Sequence, residues 1–135
     1  MDGDIRTDVF LGKYKLGKSA KGVLDYIKRP EKNEEIVCVT NHKNLNLIFT
    51  GINEDGIVTD DEIMIFKSLI DKYSKEYDYI VVDSDEDGTL AAFCRYAAII
   101  ADKETYDEDE LNNRVIQLED KECNVLGSYY KRIGL

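Results

Sequence analysis

Apolar strand segments alternate with capped helical segments along the chain, and this order constrains the fold more than any other feature. Strand-like runs lie at 35–40, 44–51, 77–84, 97–104 and 124–133. Strand–helix–strand repetition with short connections implies crossovers, which make neighbouring strands parallel and place helices on both faces of the sheet. We therefore predict an α/β fold with a mostly parallel sheet, organised as one domain over residues 1–135.

Local sequence signals place the helices. Residues 21–28 predict a short helix that stops before Pro30. Thr59 with Glu62, and Thr105 with Glu108, each match a capping box that precedes an apolar helical face. We expect these two boxes to begin the two longer helices.

Composition excludes several classes of protein. The chain has 135 residues, 43% of them hydrophobic, and a net charge of −10, so it can bury a core but lacks the basic face that general nucleic-acid binding requires. No run approaches the roughly 18 apolar residues of a transmembrane segment, and the start resembles no secretory signal, so we expect a cytoplasmic protein. Three widely spaced cysteines predict reduced thiols, and the single histidine, His42, predicts a loop residue.

The stretch "EYDYIVVDSDEDG" (76–88) contains the first candidate site. Its apolar middle predicts a strand covered on both faces, and ligands bind at the carboxyl ends of such parallel strands. Asp83 ends this strand and has the form of a Walker B acid, which holds Mg²⁺. Asp83, Asp85 and Asp87 also match the first half of a calcium-binding EF-hand loop, although Cys94 occupies the position of its bidentate glutamate.

The stretch "GKYKLGKS" (12–19) contains the second candidate site. It fits the phosphate-loop pattern G-x-x-x-x-G-K-[ST], in which Gly12 and Gly17 allow close backbone approach, Lys18 contacts phosphate and Ser19 contacts Mg²⁺. Bulky side chains at 14–16 replace the glycines that such a loop favours. A phosphate loop and a basic surface loop therefore remain alternative interpretations.

Several segments, taken in order, resemble the deviant-Walker P-loop ATPases of the MinD/ParA superfamily. The nearest branch is that of the bacterial tyrosine kinases and capsule-regulating ATPases. "DGDIR" is similar to the D-x-D-x-R motif of that branch, "KNLNLIFTG" to its N-L-x-V-x-x-A-G strand, "EYDYIVVDS" to its Walker B strand and "NVLGSYYKRI" to its final strand.

This resemblance implies a nucleotide site of which only part is matched. Asp2, Asp4 and Asp83 would surround Mg²⁺, and Lys18 would contact the phosphate of bound Mg-ATP. The match begins at the second acidic motif, so the family's first strand, phosphate loop and first helix have no counterpart in the matched segments. Because that strand lies centrally in the family's sheet, we expect the sheet to close differently or to take a strand from elsewhere, through a protein partner or self-association.

The function that we predict from the sequence follows from these departures. The acids after Asp83 place negative charge where a nucleotide phosphate would lie. We predict a degenerate MinD/ParA-like domain, a pseudo-ATPase that acts as a non-catalytic interaction or regulatory module. The alternative is an active Mg-ATP-binding ATPase that uses residues 12–19, and a third interpretation is a calcium-binding module.

Overall fold

The computed structural model describes residues 1–3, 21–29, 36–51, 58–85 and 87–131. The chain divides into two compact units, Met1–Asp85 and Glu86–Leu135. Both units contain helices and a parallel strand pair, which confirms the α/β class. The single domain over residues 1–135 stays a prediction.

The described residues of the first unit form two helices and two short strand pairs. In chain order its elements are β1 (Asp2–Gly3), α1 (Val23–Lys28), β2 (Cys38–Val39), β3 (Asn46–Leu47), α2 (Asp60–Tyr73) and β4 (Asp83–Ser84). The strands β1 and β4 are parallel, whereas β2 and β3 form an antiparallel pair. The predicted strand at 35–40 is therefore present, and it pairs with the predicted strand at 44–51.

The backbone of β1 joins β4 to the segment that follows β3. The Met1 amino group donates to the Val81 carbonyl over 2.7 Å, and the Asp83 N–H donates to the Met1 carbonyl over 2.9 Å. On the other side, the Asp2 N–H donates to the Ile48 carbonyl over 2.8 Å. Residues 1–3 thus lie between residues 48–50 and residues 81–84.

Helix α2 begins at the predicted capping box. The Thr59 hydroxyl accepts from the Glu62 N–H, and the Glu62 carboxylate accepts from the Thr59 N–H over 2.8 Å. The backbone N–H groups of Thr59 and Glu62, which have no partner within the helix, are therefore both hydrogen-bonded. Phe66 and Leu69 are fully buried, and α2 packs against α1. The core of this unit consists of Val23, Leu24, Ile27, Ile36, Ile48, Phe49, Phe66, Leu69 and Tyr73.

The second unit is a parallel strand pair joined by a helix. A 3₁₀ helix (Ala91–Phe93) precedes β5 (Tyr96–Asp102), α3 (Glu108–Glu119) and β6 (Asn124–Lys131). The strands pair in parallel along their whole length, with a register shift between Ala97 and Ala98. A strand, a helix and a parallel strand in succession form the crossover unit that the sequence predicts.

The predicted capping box at Thr105 and Glu108 is wrong. Helix α3 has Asp107 as its N-cap residue, and the Asp107 carboxylate accepts from the Glu110 N–H over 2.9 Å. Aspartate is at least as strong an N-cap as threonine, and Asp107 is followed three residues later by a glutamate of its own. Helix α3 therefore has its N-cap two residues later than the predicted N-cap, Thr105.

The prediction that the 77–84 strand is covered on both faces is also wrong. Within it, Tyr79 is 90% exposed and Val81 is 78% exposed. The regular ladder with β1 is confined to Asp83 and Ser84. The run is apolar enough for a central strand, but one set of its side chains faces outward in the part of the chain that the structure describes.

The remaining sequence expectations concern single residues and membrane segments. His42 lies in an exposed turn, as predicted, and its N–H donates to the Thr40 hydroxyl. The cysteines Cys38, Cys94 and Cys123 are free thiols, of which Cys123 is buried. Across the described ranges no helix is long and apolar enough to cross a bilayer.

Candidate functional site

Two of the predicted metal ligands lie opposite each other on paired strands. Asp2 and Asp83 are Cα partners in the parallel ladder of β1 and β4. Paired residues of a parallel ladder project to the same face and are roughly 4.8 Å apart. Asp2 is only 6% exposed, whereas Asp83 is exposed. The backbone pairing thus places the two aspartates side by side on neighbouring strands.

The donor chemistry of this pair fits magnesium. Mg²⁺ binds carboxylate oxygens, usually from one or two side chains, and fills its remaining positions with water or phosphate oxygens. Two aspartates at the ends of adjacent strands supply that number of protein ligands. Within the described ranges there is no group of three or more His, Cys, Asp or Glu side chains arranged to hold a metal ion. The candidate site therefore offers two carboxylates, those of Asp2 and Asp83, as metal ligands.

The acids that follow Asp83 are engaged in local contacts. Asp85 is 8% exposed, and its carboxylate accepts from the Ser84 hydroxyl over 3.3 Å. In the second unit, the Asp87 carboxylate lies 3.8 Å from the Arg114 guanidinium, and the Asp87 carbonyl accepts from the same group over 3.2 Å. Asp85 and Asp87 therefore each interact with another side chain of the protein.

The other predicted site residues lie outside the described residues. These are Asp4, the third predicted magnesium ligand, and the phosphate-loop residues Gly12, Gly17, Lys18 and Ser19. Their roles in binding magnesium and nucleotide stay predictions. Of the predicted site, Asp2 and Asp83 are the members that can be placed relative to each other.

An apolar cavity of about 430 Å³ opens beside the carboxylate pair, within the first unit. Three tyrosines contribute to it, and the Asn46 side-chain amide donates to the Tyr77 hydroxyl over 2.8 Å. The rings of Tyr73 and Tyr77 meet edge to face with their centroids 5.9 Å apart. The lining includes Leu45, Leu47, Tyr73, Tyr77, Tyr79 and Val81. One sequence signal could have indicated this cavity, since the three tyrosines recur within seven residues, at the end of α2 and just after it.

Comparisons with known proteins relate the chain to bacterial kinases. No protein-family model matches it. It is 27% identical over 103 residues to the tyrosine-protein kinase CpsD of Streptococcus pneumoniae serotype 4, a match that covers 76% of this chain and 44% of CpsD. The chain therefore spans less than half the length of this curated relative.

A solved structure shows the fold. The crystal structure of the VpsO kinase domain matches this chain with a TM-score of 0.75 and 16% sequence identity, over 98% of this chain and 68% of the VpsO domain. The match confirms the α/β architecture. The likeness in sequence to CpsD and the likeness in fold to VpsO together support a relationship between this chain and the bacterial tyrosine kinases.

Proposed function

We propose that this chain is a regulatory, non-catalytic relative of the bacterial tyrosine kinases, a MinD/ParA-like pseudo-ATPase domain that acts by binding another protein. The observation that carries this proposal is the exposure of apolar residues in the segment just before Asp83. Tyr79 and Val81 are exposed, whereas the strand that holds a catalytic acid in an open α/β sheet is normally covered on both faces.

The exposure of Tyr79 and Val81 affects how rigidly Asp83 could be held in a catalytic site. Phosphoryl transfer requires little covalent chemistry from the protein, so most of the rate enhancement comes from holding phosphate, metal and nucleophile in place. A catalytic constellation needs a rigid supporting shell to hold its geometry within about 0.5 Å. The segment that leads into Asp83 bonds to Met1 alone among the described residues, and Tyr79 and Val81 within it are exposed, so it would support a catalytic acid weakly.

The negative charge near Asp83 also disfavours nucleotide binding. Asp83 and Asp85 lie at one strand end, with the buried Asp2 opposite. A bound nucleotide would add further negative charge, and like charges a few ångströms apart repel unless cations neutralise them. One magnesium ion could neutralise Asp2 and Asp83, which would leave Asp85 uncompensated by the metal.

The second candidate function is an active Mg-ATP-binding ATPase, and the pairing of Asp2 with Asp83 favours it. In the proposed metal site this pair would bring two magnesium ligands together on adjacent parallel strands. In this reading Lys18 would contact the phosphates and Ser19 would contact the metal. The cofactor would be Mg-ATP.

Isothermal titration with Mg-ATP and with Mg-ADP separates the two functions. The regulatory role predicts no binding heat above dilution for the wild-type chain and for the Lys18→Ala variant. The active ATPase predicts micromolar binding that the Lys18→Ala change abolishes and that the matched surface change Lys43→Ala preserves. Binding with that pattern would overturn the proposal.

A further inference from the structure

The backbone of residues 80 and 82 has an open hydrogen-bonding edge. Within the described part of the chain, no N–H or carbonyl group of Ile80 or Val82 has a hydrogen-bond partner. Val81 and Asp83, by contrast, bond to Met1 through the Val81 carbonyl and the Asp83 N–H. Because backbone groups of successive strand residues point to opposite sides, those of Ile80 and Val82 point away from β1.

The side chains of the same segment are too apolar for a solvent-facing edge. Residues 79–82 are a tyrosine, an isoleucine and two valines, and both Tyr79 and Val81 are largely exposed. An edge strand with unpaired backbone groups and exposed apolar side chains is a template for pairing with another chain. Proteins that leave such an edge open normally protect it with a charged side chain or a proline within the strand, and residues 79–82 contain neither.

Charges at the two ends of the segment select its partner. Asp78 precedes the apolar run and Asp83 follows it. A second copy paired at this edge would bring four aspartates, Asp78 and Asp83 of each copy, to one short strand pair, and residues 76–88 supply no Lys or Arg to offset them. Like charges close together destabilise a strand pair, so a second copy is a poor occupant. A segment with Lys or Arg at both ends of its apolar run complements these acids.

We propose that the edge formed by residues 79–83, termed here the acceptor edge, binds an extended segment of another polypeptide by β-strand addition. That segment has about four apolar residues flanked by Lys or Arg, and its backbone bonds to the free groups of Ile80 and Val82. The inference rests on the proposed role as an interaction module and names the surface and the partner's chemistry.

A short peptide tests the acceptor edge directly. The probe is a fluorescein-labelled peptide of sequence KKVIVVRK, titrated with the full chain and followed by fluorescence polarisation without nucleotide or magnesium. The comparison peptide, EEVIVVEE, keeps the apolar run and reverses the flanking charges. We expect the basic peptide to bind at least about tenfold more tightly, because the peptide residues next to Asp78 and Asp83 change from attraction to repulsion.

Two substitutions at one position separate backbone pairing from side-chain packing. Ile80→Pro removes the free N–H, whereas Ile80→Ala removes the same side chain and keeps the N–H. Circular dichroism and thermal melting check that both variants are folded. We expect the basic peptide to bind Ile80→Ala and to lose binding to Ile80→Pro, and we expect Asp78→Lys to weaken binding of the basic peptide.

Several outcomes would overturn the inference. These are absent binding of the basic peptide, equal binding of both peptides, and equal loss in the alanine and proline variants. A dimer in size-exclusion chromatography with light scattering that Ile80→Pro dissociates would instead identify a second copy as the occupant. Because the assay contains no nucleotide, its failure leaves the Mg-ATP titration as a separate test of the proposed function.

Discussion

At Gly22, in the first unit, an added methyl group would collide with the backbone of a neighbouring segment. A Cβ at Gly22 would lie 2.1 Å from the Phe49 carbonyl oxygen and 2.5 Å from the Gly51 nitrogen. Both are backbone atoms, so neither can rotate away. The φ angle of Gly22 is −156°, which any residue adopts, so the cost of Gly22→Ala arises from this overlap alone.

The overlap acts on the two hydrogen bonds that hold the start of α1 against the sheet. The Val23 N–H donates to the Phe49 carbonyl over 2.7 Å, and the Leu24 N–H donates to the Thr50 carbonyl over 2.8 Å. Relieving the overlap requires a shift of about 1 Å, which breaks both bonds, and each contributes about 0.5–1.5 kcal/mol. Alanine also stabilises by about 0.4–1 kcal/mol through the unfolded chain. Since Val23 and Leu24 also leave the core, we expect a net loss of about 2–3 kcal/mol.

Urea denaturation followed by circular dichroism measures this loss. Gly22→Ala should lower the midpoint with little change in the slope, because the surface exposed on unfolding is nearly the same. The matched control is Met64→Ala on the exposed side of α2, for which we expect a change within about 0.5 kcal/mol. A Gly22→Ala variant as stable as that control would refute the reasoning.

Four further predictions concern local interactions. Thr59→Ala should reduce the free energy of unfolding by about 1 kcal/mol in urea denaturation, because it removes the cap of α2; an unchanged midpoint would contradict this. Hydrogen bonds from the Thr59 backbone and hydroxyl lower the pKa of Glu62, so this contribution to stability should be present above the carboxyl's unfolded pKa and be lost as pH falls through its lower folded pKa, as pH-dependent melting would reveal. Burial raises the pKa of the Cys123 thiol, so iodoacetamide at pH 8 should alkylate it much more slowly in the folded chain than in urea. Desolvation and the neighbouring Tyr106 hydroxyl raise the pKa of Tyr130, so Tyr106→Phe should lower that pKa in a spectrophotometric titration.

The parts of the fold that depend on local interactions could be predicted from the sequence. The cap of α2 is one example, since Thr59 and Glu62 satisfy each other's backbone within four residues. The strand β6 is another, because its apolar run is long and bounded by polar residues. The start of α3 was placed two residues too early because Thr105 and Asp107 are both capable caps, and the sequence contains no rule that chooses between them.

The exposure of the 79–82 segment could not be predicted in the same way. An apolar run indicates that a strand can be buried, but its actual cover depends on which elements pack against it. The apolar middle of residues 77–84 predicts cover on both faces, whereas Tyr79 and Val81 are exposed in the structure. The opposition of Asp2 and Asp83 was predictable only in outline, since the order of strands suggested a shared edge and the backbone pairing supplied the register.

The most direct test of the central claim is phosphate release from γ-labelled ATP in the presence of Mg²⁺. The account predicts that the wild-type chain releases no more phosphate than a protein-free control, and that the Lys18→Ala and Asp83→Asn variants do not differ from it. Magnesium-dependent release by the wild-type chain that both variants abolish, and that Lys43→Ala leaves intact, would contradict the account and identify the chain as an active ATPase.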